Sequence, residues 1–242
     1  MKKLPETDAI FARLAAVNPA ADADPTILRM SVDAKARVLL GRFSRGGRNR
    51  VTVHAWDHDF RTAQHVTPVG VFLPAVNEVY LYFISGPITA DTIADVIRLT
   101  WQQVAARFPQ VNTILLNLDN GPENHSRRTQ FMHRLTEFAD SYHLTVQLAY
   151  YPPYHSKYNP IERVWGVLEQ HWNGALLDSL TTVLAFARTM SYNHVAPAVQ
   201  YIHRTYATGV KLTAKDMTAL EARFEREPDL EKYFVRIAPL AT

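Results

Sequence analysis

The chain has 242 residues, of which 47% are hydrophobic and 20% are charged, as in one large globular domain or one domain with a small appendage. It contains no cysteine, which excludes disulfide bonds, iron–sulfur clusters and cysteine-based zinc sites. The net charge of +3 permits a polyanionic partner without requiring one. We expect no secretory signal, and no membrane helix because such a helix needs about 18 apolar residues.

The first part of the chain predicts a short helix, a linker and three antiparallel strands. Hydrophobic residues recur with helical spacing in residues 6–17, whereas residues 18–26 hold two prolines and two acids and predict a linker. Alternating segments on either side of the Gly46-Gly47 turn predict a β-meander whose first strand ends on Asp33. The predicted strands are residues 27–33, 36–43 and 51–56.

A basic segment accompanies this meander. Residues 35–50 contain six lysine and arginine residues and no acid: Lys35, Arg37, Arg42, Arg45, Arg48 and Arg50. A basic hairpin tip suits a phosphate backbone, so we predict DNA contacts here. The residues predicted to make them are Lys35, Arg45, Arg48 and Arg50. The alternative is a solvated turn with scattered arginines, and the sequence leaves both open.

After residue 57 the pattern changes to strands that alternate with helices. Residues 57–77 are irregular apart from a short strand at 69–73. Strands are predicted at residues 78–84, 113–118 and 145–150, and helices at 89–108, 126–142, 160–172, 180–190, 198–206 and 213–225. An antiparallel start followed by alternation predicts an α/β fold with a mixed sheet, helices on both faces and a helical C-terminal extension.

Three acids occupy positions suited to a metal site. Asp33 ends the first strand, Asp119 follows the central strand, and Glu162 lies in the first turn of a helix. Mg²⁺ and Mn²⁺ prefer carboxylate oxygens, and two such ions about 4 Å apart can act on both oxygens of a phosphodiester displacement. Each acid also has a structural alternative. The two aspartates suit turns, and Glu162 suits a capping box with Asn159.

The residues around these acids resemble a known family. YNPIERVWG resembles the third-acid motif of DDE transposases of the IS630, Tc1 and mariner type, and LNLDNGPENHS resembles their second-acid motif. SVDAK, followed by FSRGGRNR, is similar to the first-acid segment of ISAzo13-like bacterial insertion-sequence transposases. The resemblance implies an RNase H-like fold and metal-dependent cleavage and strand transfer of DNA in the bacterial cytoplasm. It also implies that two Mg²⁺ or Mn²⁺ ions are held by the catalytic residues Asp33, Asp119 and Glu162.

The N-terminal region departs from this family. Its members usually carry a helix-turn-helix region that recognises DNA ends, whereas 32 residues precede Asp33 here. We expect a separate helix-turn-helix chain, with a degraded element as the alternative, and a homodimer because strand transfer joins two ends. The predicted regions are an N-terminal helix and linker at 1–26, an RNase H-like catalytic domain at 27–175 and a helical region at 176–242.

The loop before the third acid supplies further candidates. We predict that His155 and Lys157 meet a scissile phosphate, with a solvated loop as the alternative. Trp165 is assigned to core packing, and Glu169, two turns after Glu162, is a fallback third acid.

Two other functions of the protein stay open: an RNase H-like nuclease that hydrolyses without joining, and a non-catalytic DNA-binding remnant.

Three residues near the second acid have no assigned role. His125 flanks the site, and Arg127 and Arg128 open the helix that follows it. These arginines either contact DNA or face water.

Overall fold

The computed structural model describes residues 4–43, 45–46, 55 and 64–240. Within these ranges the helices are α1 (Thr7–Ala23), α2 (Ala90–Val104), α3 (Thr129–Tyr142), α4 (Ile161–His171), α5 (Leu180–Thr189) and α6 (Ala214–Glu221). The strands are β1 (Ile27–Ala34), β2 (Val38–Leu39), β3 (His65–Leu73), β4 (Glu78–Ile84), β5 (Thr113–Leu118), β6 (Thr145–Tyr150), β7 (Ala198–Ile202), β8 (Phe224–Arg226) and β9 (Phe234–Ile237).

The strands form one mixed sheet in the order β7-β4-β3-β1-β5-β6-β9-β8, with β2 paired to β3. β1 runs antiparallel to β3 and parallel to β5, and β5 runs parallel to β6. Parallel strands need long crossovers, which here contain α2 between β1 and β5 and α3 between β5 and β6. The carboxyl ends of β1, β5 and β6 therefore meet at the same end of the sheet.

Helices cover both faces of this sheet, as the alternation within β4 shows. One set of its side chains packs in the cluster that contains α1, α2 and α3, and the other set in the cluster that contains α4 and α5. The first set is Tyr80, Tyr82 and Ile84, and the second is Val79, Leu81 and Phe83. Successive side chains of a strand point to opposite faces, so a strand covered on both sides is apolar throughout. The predicted α/β architecture is confirmed.

The N-terminal helix is longer than the sequence predicts. α1 continues through Pro19 into the segment predicted to be a linker. Proline inside a helix costs about 3 kcal/mol because it removes a backbone donor and crowds the preceding turn. Here Ala21 is buried in the core, and Asp22 accepts a hydrogen bond of 2.7 Å from Nε of Arg29 on β1. These contacts hold the last turn of α1 against the sheet.

The predicted helix at 198–206 is wrong, because residues Ala198–Ile202 form β7, parallel to β4. Its short apolar pattern is compatible with a helix or with a strand, and the free edge of β4 offers backbone hydrogen-bond partners to a strand. The sequence prediction also lacks β8 and β9, which extend the sheet beyond β6. The helix predicted at 180–190 is confirmed as α5. The helix predicted at 213–225 forms α6 but ends at Glu221, because Phe224–Arg226 pair with β9 as β8. The region predicted to be helical at 176–242 therefore also contains β7, β8 and β9, and the domain boundaries at 26 and 175 stay predictions.

The predicted meander is changed in three places. The strand at 36–43 is reduced to the two residues of β2, and the strand at 51–56 lies outside the described residues except for Ala55. β3 has nine residues where the sequence predicts a short strand at 69–73, because Thr67 and Pro68 interrupt the apolar pattern yet pair with β4.

No helix in the described part of the chain is both long and apolar enough to cross a membrane.

Candidate active site

The strand register brings the first two predicted acids side by side. Ile27 pairs with Thr113 and Ser31 with Asn117, so the register of β1 on β5 is offset by 86 positions. Asp33 and Asp119 are also 86 positions apart. Asp33, in β1, and Asp119, the residue after β5, continue this register by two positions. Adjacent strands of a sheet lie about 4.8 Å apart, so the two residues are neighbours across the sheet. Both line one cavity of about 240 Å³.

Asp33 lies in an environment that disfavours its charge. Burial, the carboxylate of Asp119 and, more weakly, that of Glu162 raise the pKa of Asp33 to about 8. A hydrogen bond of 2.8 Å from the Trp165 indole Nε1 to Oδ2 of Asp33 opposes this rise. No lysine or arginine of the described chain lowers this pKa. The first acid therefore faces like charges without a protein cation.

Asp119 is held by the loop that follows it. Its Oδ1 accepts hydrogen bonds from the Gly121 amide at 3.1 Å and from Nδ2 of Asn124 at 2.8 Å. Asn120 adopts a left-handed conformation with φ of 62°, which asparagine tolerates better than most residues. A Cβ on Gly121 would lie 3.2 Å from both Oδ1 of Asp119 and Oδ1 of Asn124. The turn residues of the second-acid motif thus orient the carboxylate.

Asn124 is a site residue that the sequence prediction missed. Its backbone carbonyl accepts a hydrogen bond of 2.5 Å from the buried Tyr150 hydroxyl, which fixes the loop on β6. Asn124 lines the acid cavity, and its side-chain Oδ1 is buried and accepts no hydrogen bond from the described residues. Only its position five residues after Asp119, within the motif, marks it in the sequence.

The helix that carries Glu162 is tied directly to the strand of Asp33. Oγ of Ser31 accepts a hydrogen bond of 2.9 Å from the Ile161 amide and donates one of 2.5 Å to Oδ1 of Asn159. Nδ2 of Asn159 donates to the carbonyl of the next strand residue, Val32, at 3.1 Å. The Asn159 side chain therefore binds β1 instead of capping α4, so the capping-box alternative for Glu162 is not formed.

A glycine in β3 permits this close approach of α4. Gly70 pairs with Asp33 across the sheet, and a Cβ there would lie 2.6 Å from the Trp165 ring and 2.9 Å from Ile161. Trp165 is buried, as the core assignment expected, but its indole also donates to the first acid. A glycine inside a strand pattern signals such backbone approach, and this signal was available in the sequence.

The three acids converge without forming a complete ligand cluster. Within the described ranges, no three histidine, aspartate or glutamate side chains are close enough to hold one metal ion. Glu162 does not line the cavity of Asp33 and Asp119, although it is near enough to raise the pKa of Asp33. The fold thus places two acids together and the third beside them.

Two cations of the basic segment, Lys35 and Arg45, pair with one glutamate of α4, Glu169. Nζ of Lys35 lies 2.8 Å from one Glu169 oxygen, and Nη2 of Arg45 lies 2.5 Å from the other. Although burial opposes it, these two cations lower the pKa of Glu169. Glu169 is therefore an ion-pair partner instead of a third site acid. Arg48 and Arg50 lie outside the described residues.

The loop before α4 divides into buried and exposed residues. His155 is buried, donates a hydrogen bond of 2.8 Å from Nδ1 to the Pro153 carbonyl, and packs edge-on against Phe11 of α1. Its ring therefore packs the loop. Lys157 is exposed and lies 5.1 Å from the Tyr158 ring centroid, so it is the member of the predicted pair that is open to a ligand.

Comparisons with known proteins agree with this architecture. The family model described as Rhodopirellula transposase DDE domain matches residues 1–239, while no curated protein sequence matches the chain. The structure resembles the Mos1 mariner paired-end complex with Mn (TM-score 0.50, 11% identity) and the Mos1 paired-end complex with the left transposon end (TM-score 0.49, 13% identity). Each match covers 75% of this chain and 54% of the other, so the chain spans about half the length of those transposases.

The first of these likenesses shows a shared RNase H-like fold, and the family model covers nearly the whole chain. The chain belongs to the Rhodopirellula transposase DDE domain family.

Proposed function

We propose that this chain is the catalytic domain of a DDE transposase that cleaves DNA and transfers strands with two Mg²⁺ or Mn²⁺ ions. The observation that carries the proposal is the shared register of Asp33 and Asp119, which sets two carboxylates side by side without a compensating cation among the described residues. Membership of the DDE family supports it, as does the likeness to a Mos1 paired-end complex that contains Mn.

The residues present fit a pair of hard cations. Asp33, Asp119, Glu123 and Asn124 line the acid cavity together with apolar residues, and Oδ1 of Asn124 is a buried acceptor that bonds no described donor. Oxygen donors of this kind suit Mg²⁺ and Mn²⁺. We assign Asp33, Asp119 and Glu162 as the ligands. When bound, the ions would supply charge stabilisation at the attacking and leaving oxygens of a phosphodiester.

The surrounding residues position the two aspartates. The Gly121 amide and Asn124 both donate to Oδ1 of Asp119, so Oδ2 is left for a ligand. Trp165 likewise donates to Oδ2 of Asp33 and fixes its rotamer. Such supporting hydrogen bonds orient carboxylate ligands and are typically worth 10- to 100-fold in metal affinity or activity. Recognition of DNA ends by a helix-turn-helix and assembly as a homodimer stay predictions.

Nicking and joining assays on supercoiled plasmid in Mn²⁺ test the proposal. We expect Asp119→Asn and Glu162→Gln to lose both products. Glu169→Gln, a glutamate change on the same helix, is the matched control and should retain them. Equal cleavage by all three variants and the parent chain would refute the assignment.

The joining arm of the same assay separates strand transfer from hydrolysis. A transposase produces strand-joined DNA, because the freed 3′-hydroxyl attacks a second duplex. Nicked products without joined ones would identify a hydrolytic RNase H-like nuclease instead. Binding without either product would identify a DNA-binding remnant.

A further inference from the structure

A second cavity of about 240 Å³ lies beside the loop that follows Asp119. Asp119 and Gly121 line the acid cavity, whereas Asn120, the residue between them, lines this one. Consecutive Cα atoms are about 3.8 Å apart, so the two cavities flank one short stretch of backbone. We call the second cavity the basic cleft. Its other lining residues are His125, Ser126, Arg127, Pro153, Lys232 and Tyr233.

Hydrogen bonds hold the walls of the basic cleft together. Oγ of Ser126 donates to the Lys232 carbonyl at 2.8 Å, and Nη2 of Arg226 donates to the Ser126 carbonyl at 3.1 Å. The amide of Tyr150, at the end of β6, donates to the Tyr233 carbonyl at 2.9 Å. The loop after β5 and the turn between β8 and β9 are thereby fixed to each other. The cleft is a built feature of the fold.

The groups in the basic cleft are hydrogen-bond donors and cations. Nδ1 of His125 accepts the Arg127 amide at 3.2 Å, so a neutral ring carries its proton on Nε2 and offers it as a donor. Arg127 and Lys232 are exposed, and neither forms an ion pair with a carboxylate of the described chain. Arg128, by contrast, is paired with Glu123 at 3.1 Å. Two cations are thus available to an anion.

We propose that the basic cleft binds a backbone phosphate of the DNA strand whose phosphodiester lies at Asp33 and Asp119. Arg127 and Lys232 supply the charge, and Nε2 of His125 supplies a neutral donor. Because the two cavities flank Asn120, a phosphate in the cleft and a phosphodiester at the acid cavity would belong to neighbouring positions of one strand. The placement of that neighbouring phosphodiester rests on the proposed function, whereas the phosphate chemistry of the cleft does not.

Binding of a fluorescein-labelled oligonucleotide in EDTA tests this inference. We expect Arg127→Gln and Lys232→Gln each to weaken binding roughly fivefold to tenfold at low salt, because each removes one phosphate contact. Each should also lower the slope of log affinity against log salt by roughly 0.7 to 0.9. The matched controls Arg188→Gln and Lys215→Gln remove the same charges from exposed positions on α5 and α6, outside the cleft.

Equal losses in the cleft and control variants would overturn the inference, as would the absence of measurable binding by the parent chain. All four side chains are exposed, and matching urea midpoints will verify that each variant is folded. No divalent ion is present, so binding is read independently of catalysis. If the parent chain nicks plasmid but the cleft variants bind DNA as the parent does, the phosphate site is refuted and the proposed catalysis is not. If the cleft variants bind more weakly but the parent chain does not nick, the proposed catalysis is refuted and the phosphate site is not.

Discussion

Two aspartates show how differently this fold treats a carboxylate that is withdrawn from water. Asp95 of α2 is 2% exposed and is surrounded by cationic and hydroxyl donors. Nη1 of Arg204 lies 2.6 Å from it, Nη2 of Arg134 lies 2.9 Å from it, and the Tyr206 hydroxyl donates at 3.1 Å. Asp33 instead has Asp119 and Glu162 as its charged neighbours.

The difference separates a structural acid from a functional one. Desolvation of a charge is costly unless a partner compensates it. The protein itself compensates Asp95, and that cluster links α2, α3 and the segment after β7. At Asp33 the described chain supplies hydrogen bonds, such as that from Trp165, but no compensating cation, and a bound metal ion would supply one.

The largest effect is expected from Asp33→Asn. Removal of the carboxylate should reduce Mn²⁺-dependent nicking on the order of 10⁴-fold, the scale seen when a catalytic group is removed. The same variant should be no less stable than the parent chain in EDTA, because asparagine is neutral and places no carboxylate charge beside Asp119 at any pH. Initial nicking rates and urea unfolding measure the two effects. A coincident loss of stability would place Asp33 in the structural class with Asp95.

Asp95→Asn should behave in the opposite way. Breaking a buried ion pair leaves the partner charges uncompensated and costs about 3–5 kcal/mol. Urea unfolding in EDTA measures the loss, and Asp229→Asn, an exposed aspartate change, is the control. Stability within about 0.5 kcal/mol of that control would show that the arginines around Asp95 are not needed to hold it.

Trp165→Phe tests the side chain that, among the described residues, donates a hydrogen bond to Asp33. The ring is kept for core packing while the hydrogen bond of 2.8 Å is lost, so we expect a 10- to 100-fold loss of nicking or of Mn²⁺ affinity. Trp172→Phe is a matched control, because the Trp172 indole is buried and its Nε1 bonds no described acceptor. Mn²⁺ titrations of both variants provide the comparison. An equal loss in the two would assign Trp165 to packing alone.

The smallest effect is a pH dependence of stability. The pKa of Asp33 is about 8 in the folded chain and 3.8 ordinarily, so between these values the folded state holds a proton that the unfolded state has released. Stability linked to this group therefore falls as pH rises from about 4 to about 8 and is constant above that. The melting temperature of Asp33→Asn relative to the parent chain, measured in EDTA, should rise by several degrees across this window. A difference in melting temperature that stays constant with pH would contradict the raised pKa of Asp33.

Much of the site was predictable because its parts are local. Asp119 with Asn120 and Gly121 forms a turn whose residue types dictate its conformation, and Glu162 follows Pro160 at the start of a helix. These motifs predicted both the elements and the acids. The predicted helix at 198–206 failed for the opposite reason, since a short apolar segment becomes a strand only when an edge such as β4 is available.

Local residue patterns are enough to identify the acids of the motifs, the segments of the central strands and helices, and the 86-residue separation of Asp33 from Asp119. The pairing of β1 with β5 at the same offset, which places the acids side by side, follows from the packed sheet. Tertiary contacts also pair Glu169 with Lys35, bind Asn159 to β1 and bring Trp165 to Asp33. The reason is physical: turns and caps depend on residues a few positions apart, whereas charge compensation depends on which distant side chains the packed sheet and helices bring into contact.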